Sequence, residues 1–430
     1  MDEIKIPSDN NFDQKTARLL VENYATLIVD QFPEGSEFGI DLFINYTGKN
    51  FLGLKMIPPG LHFIHFSLVN NQTRSVAPRI GFFHYFQSKE FYSVRWNSQQ
   101  EDIEFNVHSD EQRKRFQENF NQGYLDNQLG KLILNFENHF HNFLLPFLTI
   151  PTKKGAYQFD SYQTWVTLTD FITESLFLKM NPECGKIYSA SNLVYKTLNT
   201  TATTTDTANS ESIESKNHRH CPVDHQGLPD MIISPECAIR FPSAPLPKHF
   251  LYPEGSRPTE ITEHSLDSSY TLEFLIREKH QTNQFDLFGE LQFAFIVFLF
   301  GHQYESFEHW EQLIRVICSC RKALIEKLEF FLTFIRVLYF ELKQIDQQIF
   351  ADIVTNENRI YYSLQTFFLN IHSMKNLIQP NLLERVENFR KFLSKTLRWN
   401  FGKQNNNQED LQDDDDENIP EDEKPVVVLM

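Results

Sequence analysis

Between Phe285 and Cys320 the chain reads FDLFGELQFAFIVFLFGHQYESFEHWEQLIRVICSC, and this stretch limits the fold more than any other. From Leu291 to Phe300 only Gln292 is polar. A helix that is apolar on every side must be enclosed on every side. Ten residues at about 1.5 Å each span roughly 15 Å, against about 30 Å of bilayer hydrocarbon, so the run is expected at the centre of a helical bundle rather than across a membrane. Gly301 interrupts it. Phe307, Trp310, Leu313, Ile314 and Ile317 then recur at spacings of three or four, which predicts an amphipathic helix packed alongside. Glu305, Glu308, Glu311, Gln312 and Arg315 are expected on its wet face.

The rest of the chain divides around that centre. After a short helix or turn at Ala17–Leu20 comes an apolar run, Ala25–Val29, and the turn signal PEGS from Pro33. FGIDLF from Phe38, LHFIHFSLV from Leu61, RIGFFHYF from Arg79, FYSVRW from Phe91 and IEFNV from Ile103 read as short strands between Gly-, Pro-, Asn- or Ser-bearing turns. Such spacing predicts a sandwich or compact barrel, with Pro58, Pro59 and Gly60 as a rigid corner. The period turns helical over Glu111–Leu148, with Leu129, Leu132, Ile133 and Phe136 on one side, and again over Trp165–Met180. From Tyr270 to Trp399 it is helical almost throughout, near 269–279, 285–300, 303–320, 322–343, 346–354, 359–372 and 380–397. The expected organisation is α+β: a β domain with a flanking helix over 14–155, a connecting helical segment over 156–189, a low-complexity linker over 190–258, an all-α domain over 259–401, and an acidic, disordered tail over 402–430.

Composition removes several functions. At 430 residues and 41% hydrophobic, the chain can fill real cores, and its 41 Phe bring large buried area with no polar atom to satisfy. A net charge of −17 argues against a general nucleic-acid binder, since phosphate contacts need clustered Lys and Arg. Between Phe401 and Lys424 ten acidic and two basic residues give −8, so the tail supplies nearly half of that charge. Five cysteines without regular spacing make no disulfide framework and read as reduced thiols. The polar, acidic MDEIKIPSDNNFDQ lacks the regions of a signal peptide.

Candidate chemistry is sparse. His62 and His65 lie three apart on a strand and so point to opposite faces, which reads as half-exposed strand histidines rather than a metal pair. His218, His220, Cys221, His225 and Cys237 have zinc-ligand chemistry, but their spacing fits no regular structural zinc pattern. Cys318 and Cys320 fall on different faces of a helix and read as buried thiols. Glu305, Glu308 and His309 read as solvated. The sequence shows no phosphate loop, nucleophile elbow or HExxH helix, so no catalytic residue, metal ligand or cofactor is assigned. The remaining device is the C-terminal PVVVLM. A run of valines behind an acidic spacer suits addition to the edge of another protein's sheet.

Taken together, PEGSEFGIDLF at Pro33–Phe43, KNFLGLKMIPPGLHFIHFS at Lys49–Ser67, GFFHYFQSKEFYSVRW at Gly81–Trp96, WVTLTDFI at Trp165–Ile172 and ELQFAFIVFLFGHQYESFEHW at Glu290–Trp310 resemble the AAR-two splicing-factor family. The likeness runs in order from about residue 15 to about residue 400. It implies an N-terminal antiparallel β-sandwich and a C-terminal VHS-like helical domain. It also implies a non-enzymatic, monomeric assembly factor of the U5 small nuclear ribonucleoprotein, cytoplasmic and nuclear, without direct nucleic-acid or membrane contact. The implied partner is the largest U5 protein, processing factor eight, held through its RNase-H-like and Jab/MPN-like domains until a spliceosomal helicase takes over. Carried onto this chain, Val426, Val427, Val428 and Leu429 would be the bridging strand. The Thr- and Ser-rich stretch 199–216 departs from the family's connection; phosphate there, beside acidic residues, is expected to weaken partner binding. The competing expectation is a membrane-trafficking adaptor, since VHS-like domains also read sorting signals.

Overall fold

The computed structural model describes residues 21–70, 72–73, 75–131, 159–189, 193–195, 231–244, 251–280, 283–345, 359–397, 399 and 401. Among the described residues ten strands build the N-terminal domain: β1 Ala25–Asp30, β2 Glu37–Ile40, β3 Phe43–Tyr46, β4 Gly53–Ile57, β5 Gly60–Ser67, β6 Ile80–Phe86, β7 Phe91–Asn97, β8 Asp102–Phe105, β9 Leu129–Lys131 and β10 Ile187–Tyr188. They form two five-stranded sheets, ordered β8-β7-β1-β4-β9 and β10-β6-β5-β2-β3. The second is antiparallel throughout; in the first, β1 runs parallel to β7 and β4 parallel to β9. Pro58 and Pro59 lie between β4 and β5, so the rigid corner carries the chain from one sheet to the other. Between the sheets, Leu27, Val29, Phe38, Ile64, Phe66, Phe82 and Trp96 are buried in one core.

The N-terminal pattern departs from the sequence expectation in two places. FGIDLF is not one strand but two, β2 and β3, joined at Asp41-Leu42. Asp41 takes a left-handed φ of 56°, which a short polar residue tolerates better than a branched one. Its buried carboxylate accepts the Phe63 amide at 2.9 Å and meets His62 Nδ1 at 2.6 Å. The helix after Ser109 is α1, Asp110–Asn121, and it ends well before Leu129. Leu129 instead enters β9, whose parallel partner is β4. The expected helical positions Leu132, Ile133 and Phe136 lie outside the described residues.

Trp165–Met180 was expected as one helix and is two, α2 Phe159–Thr169 and α3 Glu174–Met180. Helices α4 Pro258–Leu266, α5 Ser269–Lys279, α6 Asp286–Leu299, α7 Tyr304–Cys318, α8 Lys322–Glu326, α9 Leu328–Gln344, α10 Arg359–Ser373 and α11 Pro380–Thr396 make the second domain. The expected 322–343 helix is broken at Lys327 into α8 and α9. Strands β11 Leu193–Tyr195 and β12 Met231–Ile233 pair as a separate ribbon. Every residue of α6 from Leu287 to Val297 is buried, because two cores use it at once. Leu287, Phe288, Leu291, Ala294 and Phe295 enter the helical core with Trp310, Phe331, Phe334, Phe367 and Leu382. Phe293, Ile296 and Val297 enter a second core with Leu61, Phe63 and Phe83 of the antiparallel sheet and with Trp165, Leu176 and Phe177.

Candidate functional site

The antiparallel sheet is covered on both faces. Along β5, Ile64 and Phe66 point into the sandwich while Leu61 and Phe63 point toward α6. Phe83 meets Phe293 with ring centroids 5.0 Å apart. Polar contacts fix the orientation that apolar packing leaves free. Trp165 donates its indole N–H to the Leu61 carbonyl at 2.7 Å. Arg79 donates to the Phe300 carbonyl at 3.0 Å and to His302 Nε2 at 3.2 Å. Since Arg79 can only donate, the His302 ring nitrogen it meets must be unprotonated. Burial and the Arg79 charge accordingly lower the His302 pKa.

The two buried polar side chains of α6 account for its neighbours. Gln292 donates to the Thr167 carbonyl at 3.1 Å and to Asp170 at 2.9 Å, and accepts the Phe171 amide at 3.0 Å. This closes the turn that splits α2 from α3. Glu290 is the more demanding group, because an ionised carboxylate inside a protein needs donors. It accepts from the Ser243 amide at 3.0 Å, the Ser243 hydroxyl at 2.9 Å, His309 Nε2 at 2.8 Å and His280 Nε2 at 2.8 Å. Burial opposes its ionisation, and the hydrogen bonds and positive potential of His280 and His309 more than offset it, holding the carboxyl at about 2. His309 also stacks on Phe241, centroids 4.0 Å apart and planes 11° apart. The stretch containing Phe241 and Ser243, within the expected linker over 190–258, is therefore packed into the helical domain.

Ser243, His280 and Glu290 have the residue types of a hydrolytic relay without its geometry. A relay uses the two imidazole nitrogens separately, one for the hydroxyl and one for the carboxylate. Here Nε2 of His280 faces both Ser243 at 3.3 Å and Glu290 at 2.8 Å. A carboxylate accepts only, so that nitrogen carries the proton and cannot take another from Ser243. All three side chains are buried, and what the cluster does is bind the 241–243 stretch to α5, α6 and α7.

Other expectations are corrected by burial. His62 and His65 do face opposite ways, but both are only 1% exposed rather than half-exposed. His62 is bonded to Asp41 and to the Pro58 carbonyl at 2.9 Å, and His65 Nε2 to the Asp41 carbonyl at 3.1 Å. Burial, with Arg79 nearby, drives His65 down to about 3, so it is neutral. His309 and Glu311 are not on a wet face; both are buried, Glu311 near Arg359 at 3.8 Å. Cys318 and Cys320 are buried, and burial pushes both thiols up. Sequence reasoning missed Glu290, His280 and Ser243; the legible signal was a lone glutamate at the head of an apolar run. Among the described residues no three His, Cys, Asp or Glu side chains are grouped as metal ligands. His218, His220, Cys221, His225, the 199–216 stretch, and the strand residues Val426, Val427, Val428 and Leu429 lie outside the described residues.

Residues 23–182 match the family described as the AAR2 N-terminal domain, and residues 244–402 the AAR2 C-terminal repeat region. The chain is 30% identical over 419 residues to the Homo sapiens protein AAR2 homolog, covering 97% of this chain and 96% of that one. It is 31% identical over 422 residues to the Mus musculus counterpart, covering 98% and 97%. It is 31% identical over 138 residues to the A1 cistron-splicing factor AAR2 of Saccharomyces cerevisiae, covering 30% of this chain and 37% of that protein.

Proposed function

The chain belongs to the AAR2 family, and from that premise we propose that it is a non-enzymatic assembly factor of pre-mRNA splicing. It binds the largest U5 small nuclear ribonucleoprotein component, processing factor eight, and holds it until the spliceosomal helicase replaces it. The observation that carries this reading is the likeness to AAR2 proteins along both domains and nearly the whole chain. In the proposed complex the folded body engages the partner's RNase-H-like and Jab/MPN-like domains, and Val426–Leu429 adds a strand between them. A placeholder has to be tight yet removable. Affinity assembled from a body and a tethered strand meets both needs, since each piece raises the effective concentration of the other and losing one weakens the whole. The work is placed in the cytoplasm and the nucleus, with the chain acting as a monomer and touching neither RNA nor membrane.

The test is a binding titration of the full chain against the partner's C-terminal region, with and without residues 425–430. Tight binding that weakens on truncation is the expected result. Binding indifferent to truncation removes the tail strand from the mechanism, and absence of binding by either chain overturns the assembly role.

A further inference from the structure

Two cysteines far apart in sequence meet where the 231–244 segment joins the body of the protein. The segment lies along the end of α3 and the turn after it. Cys184 donates its amide to the Glu236 carbonyl at 3.0 Å, and Arg240 donates its amide to the Met180 carbonyl at 3.1 Å. The Arg240 guanidinium adds bonds to the Asn181 carbonyl at 3.0 Å and to Glu183 at 3.1 Å. Pairing Cys184 with Glu236 and Met180 with Arg240 sets the two stretches antiparallel, which brings residue 237 beside residue 184. The Cys184 thiol donates to the Lys186 carbonyl at 3.5 Å and lies close enough to Cys237 for each to feel the other electrostatically, and both residues are half-buried rather than sealed in a core. Cys318 and Cys320 differ on the second count, since both are 0% exposed.

We propose that Cys184 and Cys237 are a reversible redox pair, converted by a peroxide into a disulfide that fastens the 231–244 segment to the end of α3. Sγ of Cys237 attacks the peroxide, the O–O bond breaks, and one water leaves as Cys237 becomes a sulfenic acid. Sγ of Cys184 then attacks that sulfur, and its thiol proton joins the departing hydroxide as a second water. One S–S bond forms, the two sulfurs together lose two electrons, and one hydrogen peroxide is reduced to two waters. A low-molecular-weight thiol reverses the reaction by exchange. The order follows from the surroundings of Cys184. Burial above all pushes this thiol up to about 11, against the opposing effect of its backbone hydrogen bond with Lys186, so at neutral pH it is a protonated thiol and a poor first nucleophile toward peroxide, which leaves that step to Cys237.

The segment being fastened is the one that carries Phe241 onto His309 and Ser243 onto Glu290. Oxidation would therefore hold that stretch in place covalently as well as by its polar contacts.

The experiment treats the purified full chain with hydrogen peroxide at neutral pH, blocks remaining thiols with N-ethylmaleimide, and maps peptides by mass spectrometry without reductant. A Cys184–Cys237 linked peptide that disappears with dithiothreitol is expected, with Cys318 and Cys320 alkylated only after denaturation. In Cys184→Ser, Cys237 should be trapped by dimedone as the sulfenic acid, and in Cys237→Ser no linkage to Cys184 should form. Far-UV circular dichroism of both serine variants establishes that they are folded. Linkage of either cysteine to Cys221 instead, persistence of both thiols under peroxide, or a stoichiometric zinc ion released by a mercurial would each overturn the proposal.

Discussion

Glu341 on α9 gives a prediction with a definite sign. Its side chain is 0% exposed, its Oε2 accepts the Trp310 indole N–H at 2.9 Å, and its Oε1 has no hydrogen-bond partner. Burial outweighs the single bond from Trp310 and raises the group from 4.5 to about 8. In the native protein it is thus a neutral acid at pH 7, whereas in the unfolded chain it is ionised. Between these two values the native state binds the extra proton, so stability falls as pH rises from 4.5 toward 8 and levels off above. The slope is about 1.4 kcal/mol per pH unit, which makes the contribution roughly 3 kcal/mol worse at pH 7.5 than at pH 5. Glu341→Gln keeps the acceptor for Trp310 and has nothing to titrate. Its unmatched amide N–H groups cost about 1–3 kcal/mol, but equally at every pH. Urea unfolding of parent and variant, followed by tryptophan fluorescence from pH 5 to 8, should show the variant gaining about 3 kcal/mol relative to the parent as pH rises. A pH-independent difference, or a parent that gains on the variant, would refute the assignment of a neutral buried acid.

Two further outcomes follow from the same packing. His65, held down to about 3, behaves oppositely: below 6.5 the unfolded chain binds a proton that the native state refuses, so stability is lost as pH falls. Between pH 7 and 5 the loss is about 2 kcal/mol, and His65→Gln, which can still donate to the Asp41 carbonyl, should remove it in the same unfolding assay. Gly289→Ala should lower the thermal midpoint even though alanine in a helix is normally worth about 0.5–1 kcal/mol more than glycine, because a Cβ there would lie 2.3 Å from the Phe171 carbonyl oxygen; a variant more stable than the parent would show that the turn between α2 and α3 yields easily.

What could be read from the sequence was whatever a local pattern decides. The all-round apolar run had to sit between two packing surfaces, and α6 does; the period of Phe307, Trp310, Leu313, Ile314 and Ile317 placed α7 within a residue or two of its ends. What failed was decided by distant partners. The break between α2 and α3 depends on Gln292, more than a hundred residues away in sequence. Leu129 looks helical beside its neighbours and becomes a strand because β4 offers it an edge. His62 and His65 read as half-exposed strand histidines on opposite faces; on a sheet covered from both sides neither face is wet. Ser243 meets Glu290 across 47 residues, with no repeat or spacing to announce it. Of the candidate site, the 241–243 contact left no such trace in the sequence.

The double covering of the antiparallel sheet also governs how the protein transmits force. Two domains joined only by a tether let anything bound to one drift relative to anything bound to the other. Here Phe63 and Phe83 stand on the same sheet that closes the sandwich, and they interlock with Phe293 on the central helix of the bundle. Bending one half against the other would require shearing a close-packed aromatic layer and stripping Trp165 and Arg79 of their carbonyl partners. A displacement of either half is therefore resisted by this shared layer, so a partner held by one half keeps a set distance from a partner held by the other.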